Sequence, residues 1–132
     1  MSLFVRTLSV LLLSSVAATA HADKEVPPHL QCAGIFFDYR NGAPSELPIV
    51  GVSVRVSQTG VIVAGSAGFD GEYEISLRRD DGIGFTARKN TLYGGFLNRF
   101  SGELGLHLAK DPERSSFAFM YQAKCVKAKP LF

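Results

Sequence analysis

Apolar residues recur at every second position through most of the chain. Val52, Val54 and Val56 alternate with Ser53, Arg55 and Ser57, and Tyr73, Ile75 and Leu77 alternate with Glu72, Glu74 and Ser76. The same rhythm runs through Ile83, Phe85 and Ala87, through Leu104, Leu106 and Leu108, and through Phe117, Phe119, Tyr121 and Ala123. Successive side chains of a strand point to opposite faces, so each run predicts a strand with one face on a core and one in water. After residue 22 no stretch keeps the 3.6-residue period of a helix.

Other segments are less regular. Ala33, Ile35, Phe37 and Tyr39 predict one apolar face, with Phe36 on the other. Val61-Ile62-Val63-Ala64 is apolar on both faces, and Gly94-Gly95 inside Leu92–Leu97 predicts a bulge or bend. Turn residues fall between the runs, at Thr59-Gly60, Asp70-Gly71, Asp81-Gly82, Asn90-Thr91, Asn98 to Ser101 and Asp111-Pro112. Asn41 to Pro48 is the longest soft connection. Links this short join antiparallel neighbours, since parallel pairs need long crossovers. The expectation is an all-β fold, an antiparallel meander of about eight strands closed as a small barrel. A two-sheet sandwich remains the alternative.

The first 22 residues read as an address. Arg6 and the free amine are followed by an apolar stretch from Leu8 to Ala18 and by Ala20-His21-Ala22, a small-x-small cleavage motif. The apolar stretch is shorter than the ~20 residues that a membrane-spanning helix needs. Residues 1–22 are therefore expected to be a cleavable signal peptide. Residues 23–132 are expected to be one β domain, periplasmic or secreted, and monomeric.

An exported chain with two cysteines suggests one disulfide, Cys32 to Cys125. It would close nearly the whole mature chain, which the chain-entropy picture values at ~4–5 kcal/mol. It would also bring the first and last strands together. Strict alternation raises a conflict. Cys125 shares the face of Phe119, whereas Cys32 falls opposite Ile35, and a twist or bulge near a strand end would reconcile them.

The second half of the chain, with Phe69-Asp70-Gly71-Glu72-Tyr73, Leu97-Asn98-Arg99-Phe100-Ser101-Gly102-Glu103-Leu104, Cys125 and Lys129-Pro130-Leu131-Phe132, resembles small exported proteobacterial β-proteins of unknown function. That resemblance implies an exported β domain and no activity. Pro48-Ile49-Val50-Gly51-Val52-Ser53-Val54 with Phe69 to Ile75 is similar to a carboxypeptidase-regulatory or transthyretin-like module. This second resemblance covers residues 42–77 and implies a seven-stranded sandwich with a non-catalytic binding role. The terminal cysteine pair is foreign to that pattern.

The formal net charge of +2 is too small for a dedicated nucleic-acid binder. Candidate chemistry is sparse. His29 and His107 stand far apart and read as surface residues, so spacing assembles no metal site and no cofactor is expected. Gly65-Ser66-Ala67-Gly68 is neither a nucleophile elbow nor a phosphate loop. Glu72 and Glu74 share one strand face and could in principle run glycoside hydrolysis. Arg78, Arg79, Arg88 and Lys89 favour charge pairing instead. Asp80-Asp81-Gly82 reads as a turn rather than a Ca²⁺ loop.

After Glu113 the chain carries no acid, while Lys124, Lys127 and Lys129 could make a weak, salt-sensitive contact with an anionic surface. A non-enzymatic binding or interaction protein of the cell envelope is the expected role. A small apolar-ligand carrier with its site inside the barrel is the first alternative. A hydrolase using Glu72, Glu74 or His107 is the least supported. An exposed aromatic patch at Phe36 or Phe100 would favour a protein partner.

Overall fold

The computed structural model describes residues 29–129. The leader read in residues 1–22 and the terminal Pro130-Leu131-Phe132 lie outside them. Eight strands follow one another: β1 His29–Asp38, β2 Ser45–Val56, β3 Gly60–Ala64, β4 Gly71–Arg79, β5 Gly82–Ala87, β6 Tyr93–Asn98, β7 Glu103–Ala109 and β8 Phe117–Lys127. Each pairs antiparallel with the next, and β8 returns to β1. The result is a closed eight-stranded meander barrel. The two-sheet sandwich of the transthyretin-like reading is not formed, because the Pro48–Val54 and Gly71–Ile75 segments lie in one continuous sheet.

The interior is apolar. Val52, Val54, Val61, Leu106 and Tyr121 are fully buried, with Tyr73, Phe85, Leu97 and Leu104 packed among them. Charged side chains stand outward along the strands, among them Glu72, Glu74, Glu103 and Lys124. This is the inverse of a lipid-spanning barrel, whose outer band is apolar. Among the described residues no helix is long and apolar enough to cross a membrane.

Cys32 and Cys125 are directly opposite one another on β1 and β8 and form a disulfide, with sulfurs 2.07 Å apart. The bond staples the seam where the sheet closes on itself. Its geometry corrects the expected face of β1. Leu30 and Cys32 are buried and Phe36 packs inward against Phe69 and Phe119, while Ile35 is exposed. The β1–β8 register is unbroken, so no bulge is needed to align the cysteines. The irregularity lies on the other side of β1. Between Cys32 and Gly34 the register with β2 shifts by one residue, and Gly51 takes φ +73° there.

Other departures from strict alternation have similar causes. The β4–β5 register shifts between Ile75 and Leu77, which puts Leu77 outside instead of in the core. The β7–β8 register shifts at Leu108/Ala109, and Phe117 packs on His107 rather than in line with Phe119. The bend expected at Gly94-Gly95 is not there, since β6 keeps one register with both neighbours. Those glycines answer crowding. A Cβ on Gly95 would come within 2.6 Å of the Gly105 carbonyl oxygen and 2.8 Å of the Phe85 ring.

The soft connection read from Asn41 to Pro48 is also shorter than expected, because β2 begins at Ser45. The first half of β2 pairs only with β1; pairing with β3 begins at Ser53. Pro48 therefore sits where its lack of an N–H costs no ladder bond on the open side.

Candidate functional site

The up-and-down path sends connections 39–44, 65–70, 88–92 and 110–116 to one end of the barrel. The tight turns 57–59, 80–81 and 99–102 lie at the other, where the described chain also starts and ends. The two ends differ in chemistry.

The long-loop end is sealed. Phe69, in the 65–70 loop, is buried and meets Phe36 and Tyr93, with ring centroids 5.8 and 6.0 Å away. Phe36 continues to Phe119, and the Arg40 guanidinium lies 4.7 Å over the Phe119 ring. The loop is held by its own polar groups. Asp70 accepts hydrogen bonds from the Ser66 hydroxyl at 2.6 Å and from the Ser66 and Gly65 N–H groups at 2.7 and 3.0 Å. The Ser66 oxygen accepts from the Phe69 N–H, and the Tyr73 hydroxyl donates to the Phe69 carbonyl at 2.7 Å. Partial burial pushes the Asp70 pKa up, but the three donors outweigh it and hold the carboxyl below its ordinary value. Burial raises the Tyr73 pKa, with Tyr93 and Asp70 adding to the effect. Ser66 thus has both partners committed to loop structure, and its contacts include no imidazole that could activate it.

The residues considered for catalysis are not brought together. Glu72 and Glu74 lie on β4, and His107 lies on β7, with β5 and β6 between. Glu74 pairs with Arg88 at 3.1 Å on an exposed face, the charge pairing that the sequence favoured. His107 is not the solvated residue expected. It is half-buried, with its ring 5.3 Å from that of Phe117, and desolvation together with the nearby Arg114 charge lowers its pKa. His29 opens β1 and meets the Ser53 hydroxyl at 3.0 Å. Asp81 pairs with Arg79, and among the described residues no group of three or more His, Cys, Asp or Glu could hold a metal ion.

The disulfide end is open. A hollow of about 310 Å³ has Leu30, Leu97 and Cys125 among the apolar side chains that line it. Arg99, Lys124 and Lys127 also line it, and among the described residues no carboxylate does. Phe100 stands beside it with 75% of its surface exposed and the Arg99 guanidinium 5.2 Å from its ring. Val126 is also exposed.

The turn that carries Arg99 and Phe100 is rigidly built. The Asn98 side chain accepts from the N–H groups of Phe100 and Ser101, and Gly102 takes φ +75°. The Gly102 carbonyl then accepts from the Cys125 N–H at 2.8 Å, which ties the turn to the disulfide strand. Of the two aromatics weighed for a surface patch, Phe100 is outside and Phe36 is inside. Sequence reading found the lysines of this site but not Arg99, because the β7–β8 register that sets Glu103 opposite Lys124, and so the 99–102 turn beside the end of β8, is not given by alternation alone.

A second, shallower groove of about 740 Å³ crosses the outer wall near Ile35, Phe96, Gly105 and Gln122. Comparison with known proteins supplies no analogue for either hollow: no family model, no curated protein and no solved structure matches the chain.

Proposed function

We propose that this chain is an exported, non-enzymatic binding protein that meets its partner at the disulfide end of the barrel. One observation carries the reading: a hollow lined, among the described residues, by three cations and no carboxylate lies beside the exposed ring of Phe100. Apolar surface that stays exposed beside convergent charge marks contact sites in small domains. The non-catalytic part draws support from the separation of His107 from Glu72 and Glu74, and from the loop bonds that occupy Ser66. The apolar-carrier alternative draws less support, since Phe85, Leu97, Leu104, Leu106 and Tyr121 pack on one another inside the barrel and both hollows open outward.

The test is native mass spectrometry of the protein purified from the compartment to which its leader sends it. The wild type and an Arg99→Gln/Lys124→Gln/Lys127→Gln variant are compared. A retained species that the variant loses is the expected result. No retained species, or equal retention by both proteins, would overturn the proposal.

A further inference from the structure

We infer that the disulfide end docks on an anionic lipid bilayer surface, with Phe100 and Val126 entering the interface and Arg99, Lys124 and Lys127 on lipid phosphates. The inference rests on the binding role proposed above and names its partner.

Three features of this end converge on that partner. First, the apolar residues are exposed where packing would bury them if they served the core: Phe100 is 75% and Val126 63% exposed. They stand on different elements, the 99–102 turn and β8, but line one hollow. A bilayer interface accepts an aromatic ring and a branched aliphatic side chain side by side, to a depth of roughly 5–10 Å. Second, the cations surround them. Arg99, Lys124 and Lys127 line the same hollow, and Lys129 follows exposed two residues on. The carboxylates nearest this end, among the described residues, stand outside the hollow. Glu103 is opposite Lys124 across β7 and β8 without forming a close ion pair, Asp81 is tied to Arg79, and Asp80 stands exposed in the same 80–81 turn.

Third, the exposed ring is held rather than loose. Asn98 fixes the turn, and Gly102 anchors it to Cys125 next to the disulfide. A rigid tip loses little freedom on insertion, which favours binding. The opposite end has lysines too, at Lys89 and Lys110, but its aromatic residues are buried or half-buried: Phe69, Phe36 and Phe119 pack in the barrel mouth, Phe37 stacks on Tyr39 and Phe117 packs on His107.

Vesicle co-sedimentation of the mature protein tests this. Vesicles of phosphatidylcholine alone are compared with vesicles containing a third phosphatidylglycerol, with and without added salt. Binding only to the anionic vesicles, weakened by salt, is expected. Lys124→Gln/Lys127→Gln should weaken it by about fivefold for each charge removed. Phe100→Ser should weaken it about tenfold at unchanged charge. Lys89→Gln/Lys110→Gln, with the same charge loss at the sealed end, should leave the affinity within about twofold. All of these side chains are exposed, and circular dichroism confirms that each variant keeps the wild-type fold.

Equal binding to neutral vesicles, no binding to anionic ones, or equal losses from the two double variants would each overturn the inference. So would tight binding of soluble glycerol phosphate without vesicle binding, which points to a free phosphate ligand. If vesicles fail while the mass spectrum still shows a species lost in the Arg99/Lys124/Lys127 variant, the lipid partner falls and the binding role stands. If both fail, the role falls with it.

Discussion

The Tyr121 hydroxyl donates a hydrogen bond to the carbonyl oxygen of Ile49 at 2.9 Å, joining residues 72 positions apart. Tyr121 lies on β8 and is fully buried. Ile49 lies on β2 just before the register shift at Gly51, in the part of that strand that has no β3 partner. Ile49 is opposite Gly34 in the β1–β2 ladder, and the buried tyrosine adds a donor to its carbonyl next to the bulge. Burial accordingly raises the Tyr121 pKa.

Tyr121→Phe removes that donor and leaves the Ile49 carbonyl without it. The expected loss is about 1–2 kcal/mol of unfolding free energy. Urea denaturation measures it, with an unchanged denaturant slope showing that the fold is kept.

How much of this could be read beforehand depends on where alternation holds. The runs Val52–Val56, Leu104–Leu108 and Phe119–Cys125 face as their period predicts, because their registers are continuous. Leu77 and Phe117 do not, because each lies beyond a one-residue shift that period alone does not reveal. β1 is more instructive. Phe36 and Phe37 are adjacent, so hydrophobicity cannot choose between the two faces. The cysteine could have chosen, since a disulfide partner must share the inward face of Cys125, and Cys32 has the parity of Phe36. At the open end, the lysines of β8 were visible in the chain. Their proximity to Arg99 and Phe100 comes from the β7–β8 register, which sets Glu103 opposite Lys124 and which alternation alone does not give.

Reduction of the disulfide, or Cys32→Ser with Cys125→Ser, opens the staple at the β1–β8 seam. The expected loss is about 2–5 kcal/mol. Denaturation of the oxidised and reduced protein at one pH measures it, and the reduced protein should unfold at lower urea.

Asp70 makes stability depend on pH. Its folded-state pKa lies below the unfolded value, so its contribution is present above the unfolded carboxylate pKa of about 3.9. That contribution is lost as pH falls through the lower folded value. Asp70→Asn should therefore be less stable than wild type at pH 7, and the gap should narrow as the pH drops below about 4. Thermal melts from pH 7 to pH 3 follow the gap. A gap that is constant over this range would show that the carboxylate's charge is not what holds the 65–70 loop.

Gly95 stands where three neighbours converge. A methyl group there would meet the Gly105 carbonyl oxygen at 2.6 Å, Leu106 Cδ2 at 2.7 Å and Phe85 Cε2 at 2.8 Å. Side chains could move aside, but the carbonyl belongs to the β7 backbone. Gly95→Ala should cost about 1–3 kcal/mol, the usual cost of overpacking a core. Gly105→Ala is the control. No atom lies within 4 Å of the Cβ it would add, so its effect should stay below about 0.5 kcal/mol. Melting temperatures of the two variants rank them directly.

The open half of β2 carries the last expectation. From Ser45 to Gly51 the strand pairs with β1 alone, and Leu47 and Val50 are exposed on it at 56% and 76%. An unpaired apolar edge of this kind is a template for pairing with another copy. Pro48 and the Gly51 bulge blunt it by removing a donor and twisting the strand away. Pro48→Val restores the donor and raises strand propensity without touching the core. It should leave the melting temperature nearly unchanged while promoting concentration-dependent association, read by light scattering or sedimentation velocity. Adding Val50→Lys to the same variant should return it to the monomer, because a charge on the edge opposes pairing where the proline no longer does.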